Sequence, residues 1–173
     1  MLDGTTSGPP PGLSPARAIL YGTAVVGTLD ILDALIFFGL RGVAPARIFQ
    51  AIASGLLGRD SFQAGAASVA LGAFLQYFIS FGIVSIYMLA SRWLEPLRRH
   101  PVICGALYGI AAYFFMQRVV IPLSAATVSP KTFGAVLING LFAHVFLVGI
   151  PSALAARAAR RPRPSAGPAA VTA

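Results

Sequence analysis

Four stretches of mostly apolar residues, each long enough to cross a bilayer, dominate the pattern along the chain. They cover approximately residues 18–40, 66–90, 102–123 and 133–156. A membrane helix needs about 20 predominantly apolar residues, and none of the four stretches shows the alternating pattern of strands in a membrane barrel. The pattern therefore predicts an all-α membrane protein built as a bundle of four transmembrane helices.

A shorter segment, residues 45–58, lies between the first two predicted spans and is amphipathic. Its apolar face carries Ile48, Ile52 and Leu56, and its polar face carries Arg47, Gln50 and Ser54. Proline at the start suits a first helical turn and glycine at the end suits a helix stop. We predict a short helix that lies at the membrane interface or dips partly inward without crossing. The alternative is an ordinary connecting helix packed on the bundle.

The composition supports the membrane assignment. Hydrophobic residues make up 57% of the chain and charged residues only 10%, whereas soluble domains carry about 25% charged residues. The net charge is +8, but the basic residues stand at the ends of the apolar stretches and do not form a patch for nucleic acid. The expected partners are therefore the lipid bilayer and a second copy of the chain or another membrane protein.

The basic residues also predict the orientation of the spans. Eight lie on one side, namely Arg17, Arg92, Arg98, Arg99, Arg157, Arg160, Arg161 and Arg163, and four on the other, namely Arg41, Arg47, Arg59 and Lys131. Basic residues favour the cytoplasmic side, so both termini are expected in the cytoplasm of a cell with an inner membrane. Residues 17–157 would form the transmembrane domain. Residues 1–16 and the basic, Pro- and Ala-rich residues 158–173 would be disordered tails.

Several polar side chains interrupt the predicted spans. Asp30 and Asp33 are three residues apart on one face of the first span, and each costs about 2.5–3.5 kcal/mol near the centre of a membrane helix. Counting residues inward from the span ends predicts two layers. The deeper layer holds Asp30, Gln76 and His144, and the outer layer holds Asp33, Gln117, Arg118 and Asn139.

An ion pair of Asp33 or Asp30 with Arg118 is the leading structural interpretation of this pattern, because a carboxylate needs a partner in hydrocarbon. Arg41 and Arg47 are rival partners near the interface. A proton or ion relay through the same groups is the functional alternative. His144 fits a hydrogen-bonded core residue, a proton shuttle or a metal ligand, and the sequence leaves these open.

Small residues at four-residue spacing predict close helix contacts. The second span carries Ser68, Gly72, Gln76 and Ser80, and the third carries Gly105 and Gly109. No phosphate-binding loop, nucleophile elbow or zinc motif is present in the sequence. We therefore expect no enzymatic activity, no cofactor and no metal centre.

Part of the sequence resembles a known family. The block from Pro45 to Gly58, the segment from Val119 to Ser124, and His144 are similar to YagU-type bacterial four-helix inner-membrane proteins, over about residues 18–157. The resemblance implies a membrane location and no established activity. That family often has histidine where this chain has Gln76, so a mechanism using two histidines is not implied here.

Three hypotheses about function follow from the sequence. The first is a structural or accessory protein of the bacterial inner membrane, whose polar interior stabilises the bundle. The second is a small oligomeric transporter or channel that moves protons or ions through the intramembrane Asp, Arg and His set. The third is an intramembrane enzyme. Close packing with a sealed ion pair would favour the first hypothesis, and a water-filled cavity that reaches Asp30 would favour the second.

Overall fold

The structure, a computed structural model, describes residues 13–126 and 134–159, and four of the helices there are long and apolar enough to cross a membrane. The longer helices are α1 (Pro15–Gly39), α2 (Pro45–Leu57), α3 (Gly65–Trp93), α4 (Pro101–Leu123) and α5 (Ala135–Ala158). A 3₁₀ helix (Gly58–Phe62) follows α2, and a short α-helix (Pro96–Arg99) precedes α4. The predicted all-α bundle of four spans with a short helix between the first two is confirmed, and the chain is a multi-pass membrane protein.

The predicted tails lie outside the described residues except at their inner edges. There, α1 begins at Pro15 and α5 continues to Ala158, so both spans extend slightly beyond the predicted domain. The early start of α1 has a local cause. The Ser14 side chain accepts a hydrogen bond from the Arg17 amide at 3.4 Å, and Pro15 occupies the first helical position, where its fixed φ suits a helix and its missing N–H leaves no donor unpaired.

The fourth span lies at the centre of the bundle. Helix α5 packs against α1, α3 and α4, whereas α1 and α3 also pack against each other. The opposite faces of the spans carry large exposed apolar side chains, among them Leu20, Ile36, Phe74, Phe78, Ile103, Leu107 and Phe146. Such surfaces are unusual on soluble monomers and are the natural contact of lipid.

Helices α4 and α5 approach each other backbone to backbone through glycines. A Cβ atom added at Gly109 would overlap the carbonyl oxygen of His144, and one added at Gly149 would overlap the carbonyl oxygen of Gly105. Only a residue without a side chain permits this distance. The Gly105 and Gly109 pair, which predicted a helix contact, therefore makes one with the central span.

Both of these helices contain a wider π-helical stretch. In α4 it covers Met116–Val120 and in α5 it covers Ala143–Gly149. The stretch in α4 ends two residues before Pro122, and the stretch in α5 ends two residues before Pro151. A proline lacks the amide N–H and clashes with the carbonyl four residues earlier, so a locally wider helix accommodates it without a break in the span.

Helix α2 buries part of both its polar face and its apolar face. Gln50 and Ser54 are 7% and 0% exposed, and Ile48 is 7% exposed, whereas Leu56 is 64% exposed. Arg47 is also exposed. The helix packs against α3, which carries the stripe of small residues.

Two contacts fix α2 on that stripe. Gln50 Nε2 donates a hydrogen bond to Ser68 Oγ at 3.4 Å, and the backbone of Phe49 lies directly against Gly72. Gly72 is seven residues beyond the start of α3 at Gly65, which corresponds to about 10 Å along the helix axis. Helix α2 therefore packs beside the second span and reaches the depth of its second to third turn.

Candidate intramembrane polar site

Both carboxylates of α1 accept hydrogen bonds from neutral amide side chains. Gln76 Nε2 of α3 donates to Asp30 Oδ2 at 2.8 Å, and Asn139 Nδ2 of α5 donates to Asp33 Oδ2 at 2.7 Å. Each pair joins two residues that residue counting placed in the same layer. The layers join α1 to α3 and α1 to α5.

The face of α3 explains why Gln76 points inward. Ser68, Gly72, Gln76 and Ser80 repeat every four residues and are all buried, so Gln76 lies on the same stripe that meets α1 and α2. Its Nε2 atom also approaches the backbone oxygen of Gly27 at 3.5 Å. Gln76 is therefore held against α1 at two points, and its amide is fixed for Asp30.

His144 belongs to the same region of the bundle as the two carboxylates. It lies within electrostatic range of both Asp30 and Asp33, and its Nδ1 atom is 3.0 Å from the backbone oxygen of Gly140. A carbonyl oxygen only accepts hydrogen bonds, so Nδ1 carries the proton in this contact. In the neutral ring, Nε2 is then the nitrogen that can accept a proton.

Tyr113 is a member of the site that the sequence analysis did not identify. Its ring packs edge-on against the His144 ring, with centroids 5.2 Å apart, and its side chain also lies against Gly140. A signal was present in the sequence, because Gly105, Gly109, Tyr113 and Gln117 follow one another at four-residue spacing on α4. The first three of these residues are buried.

Two polar atoms on this face of α4 are buried without a hydrogen-bond partner in the described part of the chain. They are the hydroxyl oxygen of Tyr113 and the Oε1 atom of Gln117. A buried oxygen without a partner costs about 1–3 kcal/mol. The inner face of α4 thus offers two oxygen atoms that can accept a hydrogen bond or contact a cation.

The expected ion pair with Arg118 is absent and that prediction is wrong. Among the described residues, neither aspartate lies within 4.0 Å of the Arg118 guanidinium, whereas Arg99 pairs with Glu95 at 2.8 Å at the short helix before α4. Arg118 is exposed on α4. One residue rotates a helix by about 100°, so Arg118 cannot share the inward direction of its neighbour Gln117.

The two rival arginines are engaged elsewhere. Arg41 donates to the backbone oxygen of Phe37 at 2.7 Å, and its guanidinium lies 3.6 Å from the centre of the Phe37 ring. Arg47 lies over the Phe62 ring at 5.3 Å. Both are cation–π contacts near the ends of helices. The carboxylates of Asp30 and Asp33 therefore have amide partners in place of any of the three predicted arginines.

Neither a metal-binding group nor a relative identifies the site. The described ranges contain no group of three or more His, Cys, Asp or Glu side chains that could hold a metal ion. Comparison with protein families, curated proteins and solved structures finds no match for the chain. The polar site is therefore interpreted from its own geometry.

Proposed function

We propose that Asp30, Asp33 and His144 form a proton-binding site inside the membrane and that the protein is a small proton-coupled transporter or channel of the bacterial inner membrane. One observation carries the proposal. Two carboxylates lie in the membrane-spanning part of α1, and their hydrogen-bond donors are neutral amides. Ionised groups in this environment are rare and mark ion and proton pathways.

The charges of the site support the binding of a mobile cation such as a proton. Two aspartates three residues apart repel each other when both are ionised, and an amide donor stabilises a carboxylate without neutralising it. A bound proton supplies the positive charge that a fixed arginine would supply in a structural ion pair. His144, within electrostatic range of both carboxylates, can accept the proton at Nε2 and pass it on.

A homo-oligomer is part of this proposal. Four spans rarely enclose a wide water-filled pore, and in this bundle α5 fills the centre. Protons can move along side chains and single water molecules without such a pore. The exposed faces of the spans supply the surface through which further copies would associate.

An accessory role is the second candidate, and the same hydrogen bonds favour it. Asp30 joins α1 to α3 and Asp33 joins α1 to α5, so the carboxylates also hold the spans in register. Under this role, the site would be needed for stability but would not exchange protons with either side of the membrane. Transport measurements separate the two candidates.

We expect the double variant Asp30→Asn/Asp33→Asn to lose at least about 90% of proton flux in liposomes loaded with a pH-sensitive dye. An asparagine oxygen still accepts the hydrogen bond of Gln76 or Asn139, so the change removes the negative charges but keeps the acceptors. Losing a general proton-transfer group lowers rates by about 10²–10⁴-fold. Asp60→Asn, an exposed carboxylate after α2, is the matched control.

Three outcomes decide between the candidates. Flux in the wild type and the Asp60→Asn variant, with its loss in the double variant, supports proton transport. No flux in the folded wild type, or equal flux in the double variant, contradicts it and favours the accessory role. Flux that follows a sodium gradient, with no proton movement, would replace the proton by a metal cation at the same site.

The proposed cytoplasmic location of both termini predicts a specific pattern of thiol labelling. In a Cys104→Ser background, we expect Ala64→Cys to react with a membrane-impermeant maleimide in intact spheroplasts, because residue 64 precedes α3 on the proposed outer side. Ala16→Cys should react only after permeabilisation. Both alanines are exposed, so a difference in labelling between the two positions cannot come from burial in the folded protein. The reverse pattern would contradict cytoplasmic termini.

A further inference from the structure

An apolar groove runs between α1 and α5 on the outside of the bundle. Its volume is about 380 Å³, and it is lined by residues between Ala18 and Val25 on α1 and between Pro151 and Ala158 on α5. Tyr21, Val25 and Leu154 are 61%, 49% and 48% exposed. The groove therefore opens sideways, in the direction where a membrane-spanning helix meets lipid.

The length of the groove suits part of one leaflet of a bilayer. Its lining runs from Ala18 to Val25 on α1 and from Pro151 to Ala158 on α5, which is seven residue steps on each helix, or about 10 Å. Half of the hydrocarbon core of a membrane measures about 15 Å. The groove therefore covers most of the depth that one acyl chain occupies, and its narrow shape between two helices suits a chain better than a third helix.

Two arginines lie at the end of the groove that is nearest the N-terminal end of α1 and the C-terminal end of α5. Arg17 lies one helical turn before the lining residue Tyr21, and Arg157 lies one helical turn after the lining residue Leu154, so each shares a helix face with part of the lining. Both arginines are exposed. A backbone bridge between Leu13 and Ala159 holds this end of α1 beside the end of α5, so the two positive charges belong to the same mouth of the groove.

We propose that the groove binds an anionic phospholipid of the cytoplasmic leaflet, with one acyl chain between α1 and α5 and the phosphate at Arg17 and Arg157. The apolar lining recognises the chain, and the guanidinium groups recognise the phosphate through charge-assisted hydrogen bonds. Basic pockets between transmembrane helices on the cytoplasmic side bind anionic headgroups in this manner. The inference does not depend on the proton site.

The test is lipid retention by the full-length protein, measured by native mass spectrometry after addition of phosphatidylglycerol or phosphatidylcholine with the same acyl chains. We expect phosphatidylglycerol to be retained preferentially. Arg17→Gln/Arg157→Gln should lower its apparent affinity by about thirtyfold, since each basic residue near an anionic headgroup contributes roughly 1 kcal/mol and 1.4 kcal/mol corresponds to tenfold.

Two further variants separate the headgroup contact from the groove itself. Arg98→Gln/Arg99→Gln removes two charges from the short helix before α4, which is on the same proposed side of the membrane, and should leave retention unchanged. Ala158→Phe fills the exposed mouth of the groove without changing charge and should also reduce retention of phosphatidylglycerol.

Several results would overturn the proposal. Equal retention of the two lipids by the wild type would remove the headgroup contact, and an equal loss in Arg98→Gln/Arg99→Gln would show general attraction to a basic surface. Loss of a dimer in Ala158→Phe, with lipid retention unchanged, would assign the groove to a second copy of the chain. Each of these is read from the same spectra.

Discussion

Gly109→Ala is expected to destabilise the folded bundle by about 2–3 kcal/mol, a large effect for a single added methyl group. The new Cβ would overlap the carbonyl group of His144 and would lie 2.9 Å from the Cα of Val145. These atoms belong to the backbone of the central helix and cannot move aside as a flexible side chain would. Overpacking of this kind typically costs about 1–3 kcal/mol.

Gly82→Ala is the matched control for this prediction. Gly82 also lies within a membrane span, but a Cβ added there would meet nothing within 4 Å. Alanine favours helix over glycine by about 1 kcal/mol, so the control should be neutral or slightly stabilised. Unfolding in detergent, followed by circular dichroism, measures both variants. Equal stability of the two variants would contradict the close contact between α4 and α5.

The same contact connects packing to the polar site. The carbonyl that meets Gly109 belongs to His144, which lies in the π-helical stretch of α5. Such stretches often occur at functional sites. Separation of α4 from α5 at this point would also displace the His144 ring from Tyr113, which it meets edge-on. Gly109 therefore fixes the position of the proposed proton-accepting side chain.

Much of the fold can be predicted by counting residues along the chain. Each apolar stretch was long enough to define a span, and the observed helix limits differ from the predicted ones by at most three residues. Depth is also countable, because a helix rises about 1.5 Å per residue. Counting placed Asp30 with Gln76 and Asp33 with Asn139, and these pairs form hydrogen bonds.

The direction in which each side chain points around its helix was harder to predict from the sequence. Gln117 and Arg118 have nearly the same depth, so residue counting placed both in the outer polar layer. The inward face of α4 is set instead by Gly105, Gly109 and Tyr113, and this face continues to Gln117. Arg118 lies about 100° away and is exposed.

The burial of α2 was undetermined for a related reason. Amphipathicity divides a helix into two faces but does not say which residues meet the protein. On a membrane protein, apolar side chains can meet lipid while polar side chains meet other helices. Here Gln50 reaches Ser68, and the stripe of small residues on α3 decides the orientation. The two π-helical stretches could not be predicted either, because a proline indicates that a helix is disturbed but does not indicate which helical geometry results.

The second large effect concerns the partner of Asp33. We expect a coupling energy of about 1–2 kcal/mol between Asp33 and Asn139, measured by a double-mutant cycle with Asp33→Ala and Asn139→Ala. The Asn139 amide donates to the carboxylate at 2.7 Å, a short contact between a neutral donor and a group that can be charged. Hydrogen bonds to charged groups contribute about 1.5–3 kcal/mol in water-soluble proteins, and couplings between polar groups on membrane helices are smaller.

The cycle of Asp33→Ala with Arg118→Ala is the matched comparison, and its coupling should be near zero. Arg118 is exposed, and the described residues place no carboxylate within 4.0 Å of it. Reversible unfolding in the same detergent gives both coupling energies, because additive costs cancel in each cycle. A coupling of 1 kcal/mol or more with Arg118, and none with Asn139, would restore the structural ion pair that the sequence suggested. It would also remove the main support for proton binding at this site, since the carboxylate would then have a fixed cation.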